Sequence, residues 1–313
     1  MRIVLLTNGT TPVAQGFSDF PGTPIGIINW NAPPSGEPEW MYSVRKLVAF
    51  LRRRPYGSLR HLCEKQGLRH ADILRQEPSI LKTILREWQA DLVITSCCPL
   101  VPISDLDDIP YGGINLHPSL LPAYRGSEPL FWQIHDCVEN TGCTVHKLSA
   151  GTDKGKILGQ RAIKCPDGLD KAALIQLMEG EVGVPLLKQV VTELNDGTSR
   201  DQVQPDKSTT KYAGSFKVSD LNKVISVDQL SIQALWNVVR FFEYCPASLT
   251  KLTGWRRWLK WRPVNMTVRH QTKKQSGLTR RTEGLRLWLE LADGFVVLVP
   301  HLSLKHILTV LRE

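Results

Sequence analysis

The first two hundred or so residues alternate between short apolar, β-rich runs and stretches whose apolar residues recur with helical spacing. Such an alternation is typical of α/β proteins with a mostly parallel sheet. The apolar runs predict strands at residues 2–7, 24–29, 92–96, 113–117, 142–148 and 156–163. The periodic stretches predict helices at residues 40–53, 59–66, 78–89, 130–136 and 171–194. We therefore expect a doubly wound, Rossmann-like sheet.

Two of the predicted strands carry polar residues at the point where a ligand would bind. Residues 91–96 form a β-branched apolar run, typical of a strand buried on both faces. The strand that follows must end at His117, because Pro118 cannot donate a ladder hydrogen bond. Asn115 and His117 share one face of that strand, roughly 7 Å apart. In open α/β sheets, ligands bind at the carboxyl ends of the strands, so both residues are candidates for a site.

The last third of the chain differs in composition from the rest. Residues 201–210 are polar, contain Pro205 and are typical of a linker. Beyond them we predict a helix at 232–242 and a β-hairpin formed by 285–291 and 294–300 around an Ala-Asp-Gly turn. The chain is thus expected to contain a larger α/β domain at 1–205 and a smaller β-rich domain at 206–313.

The smaller domain is strongly basic, and the whole chain has a net charge of +9. A cationic protein favours anionic partners such as phosphates or nucleic acid. Between residues 251 and 286 there is one acidic residue, Glu283, and the basic residues are Lys251, Arg256, Arg257, Lys260, Arg262, Arg269, Lys273, Lys274, Arg280, Arg281 and Arg286. Trp255, Trp258 and Trp261 lie among them. Interleaved aromatics suit a nucleic acid or phosphorylated acceptor, but a spacing of three also suits one packed helical face, which we favour for the tryptophans.

The cysteines and the apolar runs indicate a cytoplasmic protein. The seven cysteines include no Cys-x-x-Cys pair, so neither a disulfide framework nor a zinc site is indicated. No run approaches the ~20 apolar residues that span a bilayer, and we expect no membrane partner. The amino terminus also lacks the features of a secretory signal peptide, and it is better explained as a buried first strand.

Asn115 and His117 suit acyl-transfer chemistry if a carboxylate joins them. An amide can stabilise a developing oxyanion, and an imidazole can move protons near neutral pH. Asp153 is the candidate carboxylate, because it lies in a turn with two glycines that would let the backbone approach a ligand. Each residue also has a structural interpretation, a histidine that closes a strand or an aspartate that serves its turn. We assign His135 and His146 to packing or to the surface.

Two motifs in register identify a family. Residues 115–126 read NLHPSLLPAYRG, and this run resembles the signature of the folate-dependent formyltransferases. Residues 141–146, TGCTVH, and 153–160, DKGKILGQ, resemble the second block of the same family. The family includes glycinamide ribonucleotide, methionyl-tRNA and nucleotide-sugar formyltransferases and formyltetrahydrofolate hydrolase. The resemblance covers roughly residues 85–165, with weaker support across 1–200.

The resemblance implies a reaction for these residues. The co-substrate would be 10-formyltetrahydrofolate, whose formyl carbon an acceptor amine attacks. Asn115 and the imidazolium of His117 would stabilise the oxyanion, while Asp153 would orient His117 or a water and help relay the proton. No metal is implied. Residues 1–205 would then be the catalytic domain, and 206–313 a domain associated with the acceptor.

The resemblance also implies where the ligands bind. The pterin is expected to lie against residues 96–101 and 150–153. The folate-binding residues we predict are Ser96, Cys98, Leu100, Val101, Gly151 and Thr152. The acceptor-binding residues we predict are Ser119, Tyr124 and Arg125. A guanidinium at Arg125 could meet a phosphate or carboxylate, although a solvated or capping arginine is an equal alternative.

The acceptor is predicted from departures within the family. Methionyl-tRNA enzymes usually carry a glycine after the catalytic histidine and an RGAAP run further on, but this chain has Pro118 and RGSEP at 125–129. Pro118 resembles the purine enzyme, which is usually shorter. We therefore expect a small, phosphate-bearing amine, such as a nucleotide-linked amino sugar. The alternatives are a methionyl-tRNA formyltransferase that binds tRNA, a hydrolase that releases formate, and a non-catalytic nucleic-acid binder on the same fold.

Overall fold

The computed structural model describes residues 1–32, 59–74, 80–252, 259–269 and 277–301. The predicted helix at 40–53 and the residues Trp255 and Trp258 lie outside these ranges. Contacts divide the chain into two compact units. The first unit comprises Met1–Arg125, Gly142–Ala162 and Gln176–Lys211, and the second comprises Gly126–Thr141, Ile163–Ile175 and Tyr212–Glu313. The linker therefore belongs to the first unit, and the second unit includes two segments that precede the predicted boundary at residue 205.

A seven-stranded, mostly parallel sheet organises the amino-terminal part of the chain. Its strands in chain order are β1 (Arg2–Thr7), β2 (Thr23–Ala32), β3 (Arg69–Leu74), β4 (Leu92–Ser96), β5 (Gly113–His117), β6 (Asn140–Lys147) and β7 (Ile157–Lys164). They are arranged in the order β3-β2-β1-β4-β5-β6-β7. The pairs from β3 to β5 are parallel, and β6 runs antiparallel to β5. The predicted α/β class is confirmed.

The centre of this sheet is buried because its strands are apolar on both faces. Every residue of β4 is buried, as are Ile3 to Thr7 of β1. Thr7 at the end of β1 and Thr95 and Ser96 at the end of β4 are buried polar exceptions to the apolar pattern. β3 was not predicted, since its sequence RHADIL mixes charged and apolar residues.

Helices flank the strands in the amino-terminal half. They are α1 (Pro12–Gln15), α2 (Leu59–Gln66), α3 (Ile80–Glu87), α4 (Pro129–His135), α5 (Lys171–Ile175) and α6 (Val184–Asn195). The helix predicted at 171–194 spans α5 and α6, but Gln176–Gly183 between them is a π-helix. A π-helix widens the backbone spiral and commonly lies at functional sites. None of the helices in the described residues has the length and apolar composition needed to cross a bilayer.

The second unit contains a four-stranded antiparallel sheet. Its strands are β8 (Lys260–Val268), β9 (Thr279–Glu283), β10 (Arg286–Leu291) and β11 (Gly294–His301), in the order β8-β11-β10-β9. The predicted β-hairpin is confirmed as β10 and β11. Three further helices are α7 (Leu221–Val224), α8 (Ile232–Phe241) and α9 (Ala247–Thr250). Trp261 lies in β8 and is only 2% exposed, so the helical-face interpretation is wrong for that residue.

An aromatic cluster forms much of the core of the second unit. The ring of Phe131 on α4 is fully buried and lies 4.4 Å from Phe216, 5.5 Å from Phe241 and 5.9 Å from Phe242, centroid to centroid. Aromatic pairs at these separations contribute beyond the area they bury. Phe131 therefore connects α4, α8 and the chain that follows the linker.

We expect Phe131→Ala to lower the free energy of unfolding by about 3–5 kcal/mol, because truncating a buried phenylalanine leaves a cavity. Guanidinium unfolding monitored by tryptophan fluorescence measures the change. Tyr212→Ala is the control, since Tyr212 belongs to the same unit and is 61% exposed. A loss for Phe131→Ala no larger than that of the control would show that the cluster does not stabilise the unit.

Candidate functional site

Strand register brings three polar residues together on adjacent strands. Asn115 on β5 pairs with Thr95 on β4 and with His146 on β6. Cross-strand partners face the same side of a sheet, so all three side chains lie together. Thr95 was not predicted as a site residue, and His146 was predicted to pack or to lie on the surface. The pairing register of the two strands could have revealed His146, because an antiparallel β6 places residue 146 opposite residue 115.

Two hydrogen bonds fix the orientation of the Asn115 carboxamide. The Thr95 hydroxyl donates to Asn115 Oδ1 at 2.8 Å. Asn115 Nδ2 lies 3.1 Å from His146 Nε2. His146 Nδ1 lies 2.9 Å from the backbone carbonyl of Lys147, which can only accept, so a neutral His146 accepts through Nε2. The contact with His146 uses one of the two Nδ2 hydrogens and leaves the other for a ligand.

Asp153 lies between the two imidazoles of the site. Its Oδ2 is 3.7 Å from His117 Nδ1, and its Oδ1 is 3.5 Å from His146 Nε2. The Asp153 side chain is 13% exposed, so its charge is only weakly screened by water. The predicted set Asn115, His117 and Asp153 is therefore brought together, and His146 joins it.

A tight turn holds Asp153 in place. The residue has a φ of +52°, in the left-handed region that is uncommon outside glycine. Two residues later the backbone of Gly155 packs so closely on β6 that an added Cβ would lie 1.6 Å from the carbonyl oxygen of Lys147. Only glycine can occupy position 155 in this backbone, as the two-glycine turn suggested.

His117 is buried and uncharged at neutral pH. Its Nε2 lies 2.9 Å from the carbonyl of Tyr124, so Nε2 carries a hydrogen and Nδ1 faces Asp153. Burial lowers the pKa of His117 below its usual 6.5, against the opposing effects of Asp153 and the Tyr124 carbonyl. The imidazolium form implied by the family resemblance is thus not the resting form, and Nδ1 is available to take up a proton.

A small cleft with a volume of about 60 Å³ opens beside Asn115 and Asp153. Its lining residues are Thr95, Cys98, Pro99, Leu100, Val101, Ile103, Asn115, His146, Leu148, Ser149, Gly151 and Asp153. Of the predicted folate-binding residues, Cys98, Leu100, Val101 and Gly151 lie on this wall, while Ser96 and Thr152 do not. An apolar wall with a few convergent polar groups is typical of a small-molecule site.

Ser96 is engaged with a buried acid that the sequence did not reveal. Its hydroxyl donates to Glu179 Oε2 at 3.4 Å, and the thiol of Cys97 donates to Glu179 Oε1 at 2.8 Å. Burial raises the pKa of Glu179. Glu179 belongs to the π-helix, which thereby fixes the start of the loop that lines the cleft. Any contact of Ser96 with a ligand must come from its backbone.

The predicted acceptor-binding residues have partners within the protein. Ser119 is fully buried, and its hydroxyl donates to the carbonyl of Ala123 at 2.7 Å. Tyr124 is 8% exposed and contributes the carbonyl that meets His117. Arg125 is 4% exposed and donates to Gln204, Pro205 and Asp206 of the linker. Binding of an acceptor by these three residues stays a prediction, and the structure gives Arg125 a role in holding the linker.

Comparisons with known proteins identify the family. A family model described as formyl transferase matches residues 51–181, the segment that contains Asn115, His117, His146 and Asp153. The methionyl-tRNA formyltransferase of Syntrophomonas wolfei is 30% identical over 178 residues, which are 56% of this chain and 55% of that protein. The chain spans about half the length of the curated relatives it matches. Both matches confirm the resemblance to the folate-dependent formyltransferases that the motifs indicated.

Two solved structures share the fold over nearly the whole chain. WlaRD, a sugar 3N-formyltransferase, superposes with a TM-score of 0.62 at 14% identity, covering 97% of this chain and 98% of that one. The N-formyltransferase of Helicobacter canadensis gives a TM-score of 0.60 at 16% identity, covering 95% and 98%. At these identities the likeness establishes the architecture, including the second unit.

The burial of His117 predicts a titration below pH 6.5. Removing the Asp153 charge in Asp153→Asn should lower the pKa of His117 further, because the carboxylate favours the charged imidazole. Histidine NMR resonances followed against pH measure both values. Asp19→Asn, an exposed position, is the control. The unfolded chain takes up this proton first, so the free energy of unfolding should fall as the pH drops below 6.5. A His117 pKa above 6.5 in the wild type would contradict the buried, neutral form.

Proposed function

We propose that this protein transfers the formyl group of 10-formyltetrahydrofolate to a primary amine. The observation that carries the proposal is that an amide donor, Asn115, and a carboxylate, Asp153, line one cleft, with the imidazole of His117 buried behind the carboxylate at 3.7 Å. The apolar wall formed by Cys98, Pro99, Leu100 and Val101 suits a flat heteroaromatic ring, and Asn115 and Asp153 supply polar groups beside it. The folate supplies an activated formyl carbon.

Each residue has a task that its geometry supports. Asn115, oriented by Thr95, directs an Nδ2 hydrogen at the oxygen that becomes negative when the amine adds. His117 takes the amine's proton on Nδ1, since Nε2 is engaged with Tyr124. Asp153 stabilises the imidazolium so formed, and the proton then passes to the folate nitrogen as its bond to the formyl carbon breaks. His146 accepts a hydrogen bond from Asn115 Nδ2 through Nε2 and so supports the carboxamide from the side opposite Thr95.

The acceptor we propose is the amine of a nucleotide-linked sugar or a similar small metabolite. Two solved structures that share the fold over nearly the whole chain are a sugar 3N-formyltransferase and an N-formyltransferase. Part of the basic surface of the second unit is neutralised internally, because Arg269 and Arg281 lie 3.2 and 3.3 Å from Glu290. That pairing reduces the charge available for RNA.

Methionyl-tRNA is the second candidate acceptor, supported by the curated relatives. A panel of amines distinguishes the candidates: 10-formyltetrahydrofolate consumption is followed with dTDP-linked amino sugars and with charged initiator tRNA. We expect turnover with an amino sugar. Turnover with the tRNA alone would reverse the acceptor assignment, and steady turnover without any amine would indicate a hydrolase. The predicted cytoplasmic location stays a prediction.

His117→Ala should lower kcat by at least ~10²-fold with the accepted amine, because it removes the proton acceptor. His135→Ala is the matched control, since His135 lies in the second unit outside the cleft. Stopped assays that quantify the formylated product measure both rates. An unchanged rate in His117→Ala would exclude this histidine from the reaction.

Thr95 offers a finer test of the oxyanion donor. Thr95→Val preserves the shape but removes the hydroxyl that orients Asn115, and we expect kcat to fall about tenfold, the value of one hydrogen bond. Thr95→Ser retains the hydroxyl and should stay close to the wild-type rate. Equal rates for the valine and serine variants would show that the orientation of Asn115 does not depend on Thr95.

A further inference from the structure

The linker runs along both loops that carry the proposed catalytic residues. Within the linker, Gln202 pairs with Ile157 of β7 through two backbone hydrogen bonds of 2.8 Å. We call residues 204–210 the strap. Most of the strap is exposed, but Gln204 is only 7% exposed. A buried glutamine in a polar linker needs partners for its amide.

The amide of Gln204 binds the loop that contains Asp153. Its Nε2 donates to the backbone carbonyl of Gly155 at 2.5 Å and to that of Asp153 at 3.1 Å. Asp153 has a positive φ, a backbone state that costs free energy in a residue other than glycine unless its surroundings hold it. The two hydrogen bonds from Gln204 stabilise this backbone conformation from outside the turn.

The other end of the same amide binds the loop that follows His117. Gln204 Oε1 accepts from Arg125 Nη2 at 2.8 Å. Arg125 also donates to the strap carbonyls of Pro205 at 2.8 Å and Asp206 at 2.9 Å. The neighbouring Tyr124, whose carbonyl meets His117 Nε2, donates its N–H to Thr210 Oγ1 at 2.7 Å. One side chain thus joins the loop of the carboxylate to the loop that orients the imidazole.

We infer that Gln204 is a positioning residue that sets the separation between Asp153 and His117, an inference that rests on the proposed function. The Asp153 and His117 side chains approach to 3.7 Å, longer than a hydrogen bond, so their relative position depends on the two loops behind them. A displacement of about 1 Å at a reacting group can cost roughly 10²-fold in rate. Gln204 touches no reacting atom and acts through the backbone.

Gln204→Met and Gln202→Met form a matched pair in the full-length protein. Methionine keeps the length of the side chain and removes the amide. In Gln204→Met we expect kcat to fall roughly 10–10²-fold, while the KM for 10-formyltetrahydrofolate changes less than about threefold. Gln202 presents an exposed side chain and contributes its backbone, so Gln202→Met should leave kcat and KM unchanged. Gln204→Asn keeps the amide on a shorter stem and provides a milder variant if the methionine variant does not fold.

Amide hydrogen exchange provides a measurement that needs no acceptor. We expect Gln204→Met to speed exchange in residues 117–126 and 151–156 and to leave β1 and β4 at wild-type protection. Binding of 5-formyltetrahydrofolate should persist. Wild-type exchange in both loops together with kcat within twofold would overturn the inference, as would a parallel loss of kcat, folate binding and global stability. If the wild type formylates no amine but the loops exchange faster in the variant, the proposed function fails and the loop-holding role of Gln204 stands.

Discussion

The carboxylate of Asp153, held between the imidazoles of His117 and His146, is the interaction on which the site depends. A charge that is largely removed from water is costly unless opposite charges or hydrogen-bond donors surround it. Here the neighbours are two imidazole rings, and the carboxylate favours the charged form of His117, whose Nδ1 lies 3.7 Å away. The sheet register, the left-handed turn and the packing of Gly155 on β6 all serve to place this one group.

The parts of this arrangement that were predictable are those encoded locally. β4 and β5 were predicted at their observed bounds, because apolar β-branched runs end there against serine and proline. The candidate set of Asn115, His117 and Asp153 was predicted from two motifs that resemble those of one family. The strand Arg69–Leu74 was missed, since charged residues leave it only a short apolar face at Ala71 and Ile73. The π-helix at Gln176–Gly183 has no local signature distinct from an α-helix.

The parts that escaped prediction are contacts between distant positions. His146 was assigned to packing because its partner Asn115 lies 31 positions away and faces it only through antiparallel pairing. Arg125 was predicted either to meet an acceptor or to be a solvated or capping arginine, and its hydrogen bond to Gln204, 79 positions later in the sequence, was not anticipated. Local sequence patterns predict helices and strands. The hydrogen-bond partner of a polar side chain, in contrast, depends on which helices and strands pack together. The linker was recognised by composition, and composition could not show that one of its residues is buried.

Gln204 is synthesised after both of the loops that it binds. Synthesis proceeds from the amino terminus at about 5–20 residues per second, and domains fold as they emerge. The motif strands, the turn of Asp153 and the loop of Arg125 all leave the ribosome before position 204. Until that position follows, the carbonyls of Asp153 and Gly155 must bind water. A nascent chain can therefore form the sheet before the hydrogen bonds of Gln204 exist. The last segment of the first unit to be translated is the one that supplies those hydrogen bonds to the loops of Asp153 and Arg125.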